Sequence, residues 1–286
     1  MVDGNIEASA KLRMPARMGG VKVVRRRVGI VWFVWFGVVA HLVGGCASSA
    51  RVRVQADDHY RLAQSYLSNA SYILAEQEIR KALTLRPDEA RYLECLAWIH
   101  QAQVYQAQGT LNLTRLQLAE EAYRMALQQA DAPLSVWVNY STVLLLSGRP
   151  DEAIAMAQRA LQVPGYDQPA RAYTNMGVAY LNKGTFTQAA EHFRKALDYQ
   201  ANLPEVHHNL GIAYAGLGRR TEAIRAFREA IRFRPSYVEA HLGLGNVLLA
   251  EGRKDEAQVA FERVIALTPG SDIAVDLREQ LKSLAP

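Results

Sequence analysis

The chain has 286 residues, 33 Lys or Arg against 28 Asp or Glu, a formal net charge of +5, and two cysteines, Cys46 and Cys95. Two cysteines are too few for a disulfide framework, and neither stands in a C-x-x-C or His-Cys cluster of the kind that holds zinc. Residues 1–45 hold seven Lys or Arg and two acids, which leaves 26 basic and 26 acidic residues in the remainder. A neutral body gives no electrostatic footprint for nucleic acid.

In chain order, residues 1–17 read as an extension ahead of an export signal, for which Met18 would be the more ordinary start. "VKVVRRR" then supplies Lys22, Arg25, Arg26 and Arg27, and the 16 uncharged residues "VGIVWFVWFGVVAHLV" run from Val28 to Val43. A basic start, an apolar middle and small residues at the end form the layout of a secretory signal. The run is shorter than the roughly 20 residues that span a bilayer as a helix. Its ending, "VGGC" before "ASSA", resembles the lipobox of bacterial lipoproteins. The resemblance implies cleavage before Cys46 and a diacylglycerol on its thiol; an uncleaved anchor is the alternative reading. One acyl chain holds a protein only marginally and two or more hold it stably, each buried CH₂ contributing about 0.8 kcal/mol. Residues 46–55 are then a short lipidated tether. Ala47, where an aspartate would favour the inner membrane, implies the outer membrane, facing the periplasm.

From residue 56 the chain repeats itself. "AYTNMGVAYLNKGTFTQAAEHFRKAL", "VHHNLGIAYAGLGRRTEAIRAFREAI" and "AHLGLGNVLLAEGRKDEAQVAFERVI" align at Gly177, Gly211 and Gly245, at spacings of 34 residues. The same register aligns Gly184, Gly218 and Gly252, then Ala189, Ala223 and Ala257, then Phe193, Phe227 and Phe261. A 34-residue period with a Gly-x₂-Tyr-like first half and an Ala-x₃-aromatic second half resembles the tetratricopeptide repeat. Each unit reads as two helices, with small residues where backbones approach and bulky ones filling the space beside them. Gly184, Gly218 and Gly252 mark the turns, and Pro87, Pro235 and Pro269 stop the second helices.

Working backward, Trp137, Ala153 and Ala160 define a unit starting near Leu134, and Ala56 opens the first unit. Between them, "QAQVYQAQGTLNLTRLQ" carries about ten extra residues, expected to lengthen the first helix and the turn of the second unit. The expectation is an all-α, right-handed superhelical solenoid of six units over residues 56–269, with residues 270–286 as a capping helix, thirteen helices in all.

No separate catalytic domain fits beside the repeats. HExxH, G-x-x-x-x-G-K-[ST] and G-x-S-x-G are all missing, and His207 and His208 are neighbours on a helix and so face different ways. No enzyme activity, cofactor, metal or small-molecule substrate is expected, and Cys95 reads as a small buried hydrophobe. Function should lie on the concave face, lined by side chains just after each opening large residue and four and seven positions on. These are Tyr60 and Gln64 (with Leu67), Trp98 and Gln101 (with Glu94), Val138, Thr142 and Leu145, Thr174, Val178 and Leu181, then His208 and Ile212. The lining is mostly apolar with sparse polar groups and suits an amphipathic helix or an extended apolar segment. The repeat family's carboxylate clamp needs lysines where Val138, Thr174 and His208 stand, so chaperone-tail binding is not expected.

A lipoprotein made almost wholly of six such repeats resembles the type IV pilus pilotins, the PilF/PilW/Tgl group. The likeness is best at residues 138–197, including the irregular "PGYDQPARAYTNMG" junction, and the insertion in the second unit departs from it. The resemblance implies a protein that binds secretin subunits in the periplasm and accompanies them, through its lipid, to the outer membrane. A lipoprotein adaptor for peptidoglycan hydrolases is the alternative on the same scaffold.

Overall fold

Small residues set into apolar helices let backbones approach closely, and the computed structural model shows how the chain uses this. It describes residues 49–104 and 111–284; the expected export signal, Cys46 and residues 105–110 lie outside the described residues. Among the described residues there are thirteen helices and no strand: α1 (49–68), α2 (Tyr72–Leu85), α3 (Ala90–Ala102), α4 (Leu113–Leu127), α5 (Ser135–Leu146), α6 (Pro150–Gln162) and α7 (Pro169–Asn182), followed by α8 (Phe186–Tyr199), α9 (Pro204–Gly216), α10 (Arg220–Phe233), α11 (Val238–Ala250), α12 (Lys254–Leu267) and α13 (Asp272–Leu284). They pair as α1–α2, α3–α4 and onward to α11–α12, and α13 closes the series.

Within a pair, a residue of the first helix meets one sixteen positions later. A Cβ on Gly177, Gly211 or Gly245 would stand 2.5–2.7 Å from the ring of Phe193, Phe227 or Phe261, and all three rings are buried. Earlier units place other fully buried residues at the equivalent positions: Ala63 and Ile79, Ser141 and Ala157, and, across the insertion and so 26 positions apart, Ala97 and Tyr123. The volume lost on one side of each pair is returned on the other, as close packing requires. Phe227 is held from both flanks, because a Cβ on Gly243 of α11 would also come within 2.7 Å of it.

The turn inside each regular pair is the same device. Gly184 N–H bonds Leu181 O at 2.9 Å and Thr185 N–H bonds Tyr180 O at 2.9 Å, which closes α7 in a left-handed cap. Gly148, Gly218 and Gly252 repeat the pattern with φ between 70° and 80°. In the first pair the left-handed position falls to Ala70, at φ 54°, with the same two bonds to Leu67 and Tyr66.

The second pair differs from its expectation. α3 has 13 residues and is not lengthened; the extra residues go to the connection and to the start of α4. Asn112 N–H bonds Val104 O at 2.6 Å, drawing the two ends of the connection together. The Asn112 side chain then accepts from Arg115 N–H at 3.1 Å and caps α4.

Contact runs strictly along the chain. Among the described residues the backbones of successive first helices come close (α3 with α5, α5 with α7, α7 with α9, α9 with α11), whereas second helices stand further apart and reach one another through long side chains such as Arg115 to Glu76 and Arg228 to Glu256, so the first helices line the inside of the curve. The core is a relay of clusters joined by shared side chains. Leu83 and Leu96 belong to the first and second clusters, Leu145 to the second and third, Tyr173 and Tyr180 to the third and fourth, and Tyr214 to the fourth and last. α13 buries Ala274 and Leu277 against the end of the relay.

Two substitutions probe this construction. Gly211→Ala is expected to cost about 1–3 kcal/mol, because its methyl group meets a ring that is already clamped. Phe227→Leu on that background should return part of the loss, as read by calorimetry. Ala70→Gly should stabilise the chain by about 1 kcal/mol by removing a left-handed alanine.

Candidate partner-binding groove

The first helices present their inner faces to one surface, and its N-terminal end carries a pocket of about 230 Å³. Tyr60, Gln64 and Leu67 come from α1, Arg91, Glu94, Cys95 and Trp98 from α3, and Asn139 from α5. The sequence-derived residues Tyr60, Gln64 and Trp98 thus stand together. Trp98 is 42% exposed, and the Tyr60 ring lies 5.1 Å from that of buried Tyr92. Gln64 Nε2 donates to the Tyr60 hydroxyl at 2.9 Å. Burial pushes the Tyr60 phenol up and pushes the Cys95 thiol up to about 12, so both are uncharged at neutral pH.

Polar groups stitch this end to the next units. Glu94 Oε1 accepts from Ser135 Oγ at 2.5 Å and from Asn139 Nδ2 at 3.1 Å, and Asn139 Oδ1 accepts from Arg171 Nη2 at 2.7 Å. One unit on, Asn175 Nδ2 donates to Val138 O at 3.1 Å, Ser141 Oγ at 2.6 Å and Thr142 Oγ1 at 3.0 Å. These asparagines are therefore structural cross-links between neighbouring first helices.

Further along, the expected lining is only partly open. Val138 is a correction: it is 0% exposed and packs with Ile154, Ala172 and Met176. The cause is that α5 is apolar nearly all round and buries Val136, Tyr140, Val143 and Leu144 as well. Gln101 is half-buried and accepts from the buried Tyr123 hydroxyl at 2.9 Å. Thr142, Leu145, Thr174, Val178 and Leu181 are half-buried, with Thr174 donating to Ala170 O at 2.8 Å. His208 packs its ring 5.1 Å from Tyr237, and burial lowers its pKa. Ile212, 36% exposed, is the open apolar position of that stretch.

Sequence reasoning missed Arg91 and Asn139 as pocket residues. Arg91 stands three positions before Glu94, a helical spacing that could have placed it on the same face. It also missed a groove of about 660 Å³ on the outer side between α10 and α12, with Leu244 and Leu248 of α11 among its lining and the Arg228–Glu256 pair, at 2.8 Å, beside it. Among the described residues, no group of three or more His, Cys, Asp or Glu is placed to hold a metal ion, and no helix is long and apolar enough to cross a membrane.

An all-α array of paired helices with an inner groove is a repeat scaffold for binding other proteins, and the chain belongs to the tetratricopeptide repeat family. Family profiles described as tetratricopeptide repeat match residues 59–89, 133–202, 168–236 and 208–272. The chain is similar to the type IV pilus assembly protein PilF of Pseudomonas aeruginosa, at 28% identity over 184 residues, 63% of this chain and 69% of that one. Its fold matches the crystal structure of PilW, a type IV pilus biogenesis factor, with a TM-score of 0.70 and 22% identity, covering 78% of this chain and 97% of that one. It matches the structure of Pseudomonas aeruginosa PilF at 0.66 and 23%, covering 82% and 99%. The Cut9 and Hcn1 complex matches at 0.67 and 20%, covering 81% of this chain and 43% of that one.

On the face of α3 turned away from the pocket stands His100, whose Nδ1 accepts from Arg115 Nη1 at 2.9 Å while the same nitrogen of Arg115 holds Glu76 Oε2 at 2.7 Å. Burial pushes the His100 imidazole down to about 4, against the pull of Glu76 and with help from Arg115 and Arg80. The unfolded chain takes up this proton near the ordinary value and the folded chain does not, so stability is full above about pH 6.5 and falls as pH drops toward 4. The loss amounts to about 3 kcal/mol at most. Thermal melts from pH 7 to pH 4 should show a shallower acid decline in His100→Gln than in the parent.

Proposed function

We propose that this chain is a lipid-anchored, non-enzymatic assembly factor of a type IV pilus that acts as a pilotin. Its groove captures a secretin segment, with the first three or four units as the main surface, and Cys46 carries the lipid. The carrying observation is the 184-residue similarity to a type IV pilus assembly protein. That match is supported by folds that cover nearly the whole of PilW and PilF.

The physical logic is confinement. Two or more acyl chains fix the N-terminus to the membrane, and the short tether keeps the groove within reach of it. A tethered groove meets newly arrived secretin at a raised effective concentration, without any gain in contact. The address proposed is the outer membrane, facing the periplasm.

Deleting the gene and resolving secretin multimers from outer-membrane fractions on semi-native gels tests this reading. Multimers should vanish, and Cys46→Ala should leave them unassembled or in the wrong membrane. Multimers that persist unchanged would sink it and redirect the search to cell-wall enzymes as partners.

A further inference from the structure

The pocket at α1, α3 and α5 holds a charge that the rest of the molecule treats differently. Every other buried or half-buried carboxylate among the described residues has a cation beside it. Glu76 has Arg80 and Arg115, Glu78 has Lys81, Glu89 has Arg86 and Arg91, and Glu120 has Arg124 and Arg149. Asp57, Glu222 and Glu229 are likewise paired, with Arg91, Arg219 and Arg232. Among the described residues, half-buried Glu94 is bonded only to the neutral Ser135 and Asn139, both on Oε1. The nearest link to a cation in that network runs through the Asn139 amide to Arg171. Oε2 makes no hydrogen bond within the described residues. Arg91, in the same pocket, is already committed: it pairs with Asp57, donates to Glu89 at 2.8 Å, and lies 5.5 Å from the Tyr60 ring centroid.

We propose that this pocket seats one basic side chain, Lys or Arg, of the partner polypeptide, with Glu94 as its counter-charge and the Trp98 and Tyr60 rings as its walls. The inference rests on reading the groove as the partner-binding face. Three observations fit this occupant. At about 230 Å³ the pocket is smaller than the roughly 300–1,000 Å³ of small-molecule sites, and suits a single long side chain. An exposed indole beside a tyrosine offers faces that attract a cation. A half-buried carboxylate without a counter-ion is costly, and an incoming cation removes that cost.

The test uses the full-length chain in detergent and the peptide acetyl-Ala-Ala-Arg-Ala-Ala-amide, with citrulline replacing Arg in the control. The indole N–H resonance of Trp98, assigned with Trp98→Phe, is followed by NMR while that of Trp137 serves as reference. The arginine peptide should shift Trp98 saturably and leave Trp137 in place. Citrulline, or Glu94→Gln with the arginine peptide, should bind at least about tenfold more weakly, or 1.4 kcal/mol. Gln keeps an oxygen to accept from Ser135 and Asn139, so the melting temperature of Glu94→Gln should equal or exceed the parent's. Equal binding of citrulline, undiminished binding by Glu94→Gln, or no response of Trp98 would each overturn the proposal. No secretin enters this experiment, so its failure leaves the pilotin reading to its own test. Persistence of secretin multimers without the gene, in turn, leaves the pocket's preference standing.

Discussion

Each helix pair depends on how closely two backbones can approach. Where Gly177, Gly211 and Gly245 leave out a side chain, the rings of Phe193, Phe227 and Phe261 lie where a Cβ would have been. The crossing of the two helices follows from that contact, and the left-handed cap at Gly184, Gly218 and Gly252 delivers the second helix to it. Units built on Ala63 with Ile79 or Ala97 with Tyr123 solve the same volume problem with different sizes. Because helix contacts among the described residues stay within a unit or reach only the next one, the array needs no pairing between distant units and its inner face is free to vary.

That freedom is spent unevenly. The later pairs add exposed ion pairs, such as Arg228–Glu256, to their apolar interlock. Around α1 to α5 the chain adds ion pairs and cross-unit hydrogen bonds: Arg115 joins Glu76 on α2, Arg149 joins Glu120 on α4, and Asn139 joins Glu94 on α3. Polar groups at these positions fix the geometry of the inner face by direction as well as by size. The pocket forms in this part of the array, with four of its lining residues on α3, the first helix of the pair that carries the insertion.

The repeat was legible because its columns recur at a fixed spacing, and any residue pair that must interlock leaves such a trace. The groove was legible where helices are two-faced, as at Tyr60, Gln64 and Trp98. It was not legible at Val138, since an all-round apolar helix such as α5 gives periodicity nothing to orient by. The insertion was legible by its length, but not the fact that α3 keeps 13 residues while Asn112 N–H bonds back to Val104 O and α4 begins at Leu113. Nor could the sequence reveal Glu94 as a carboxylate with no cation paired to it among the described residues. Its partners Ser135 and Asn139 lie 41 and 45 residues away, and pairing across such gaps is settled only by the fold.

The side chains shared between neighbouring clusters give the array a mechanical character. Leu96, Leu145, Tyr173, Tyr180 and Tyr214 each pack on two clusters at once, so one cluster cannot rotate without taking the next a little way with it. Strain applied at either end is therefore divided over many joints, in the manner of a leaf spring, and does not gather at one hinge. An inner face mounted on such a spring can change its curvature by small rotations throughout its length.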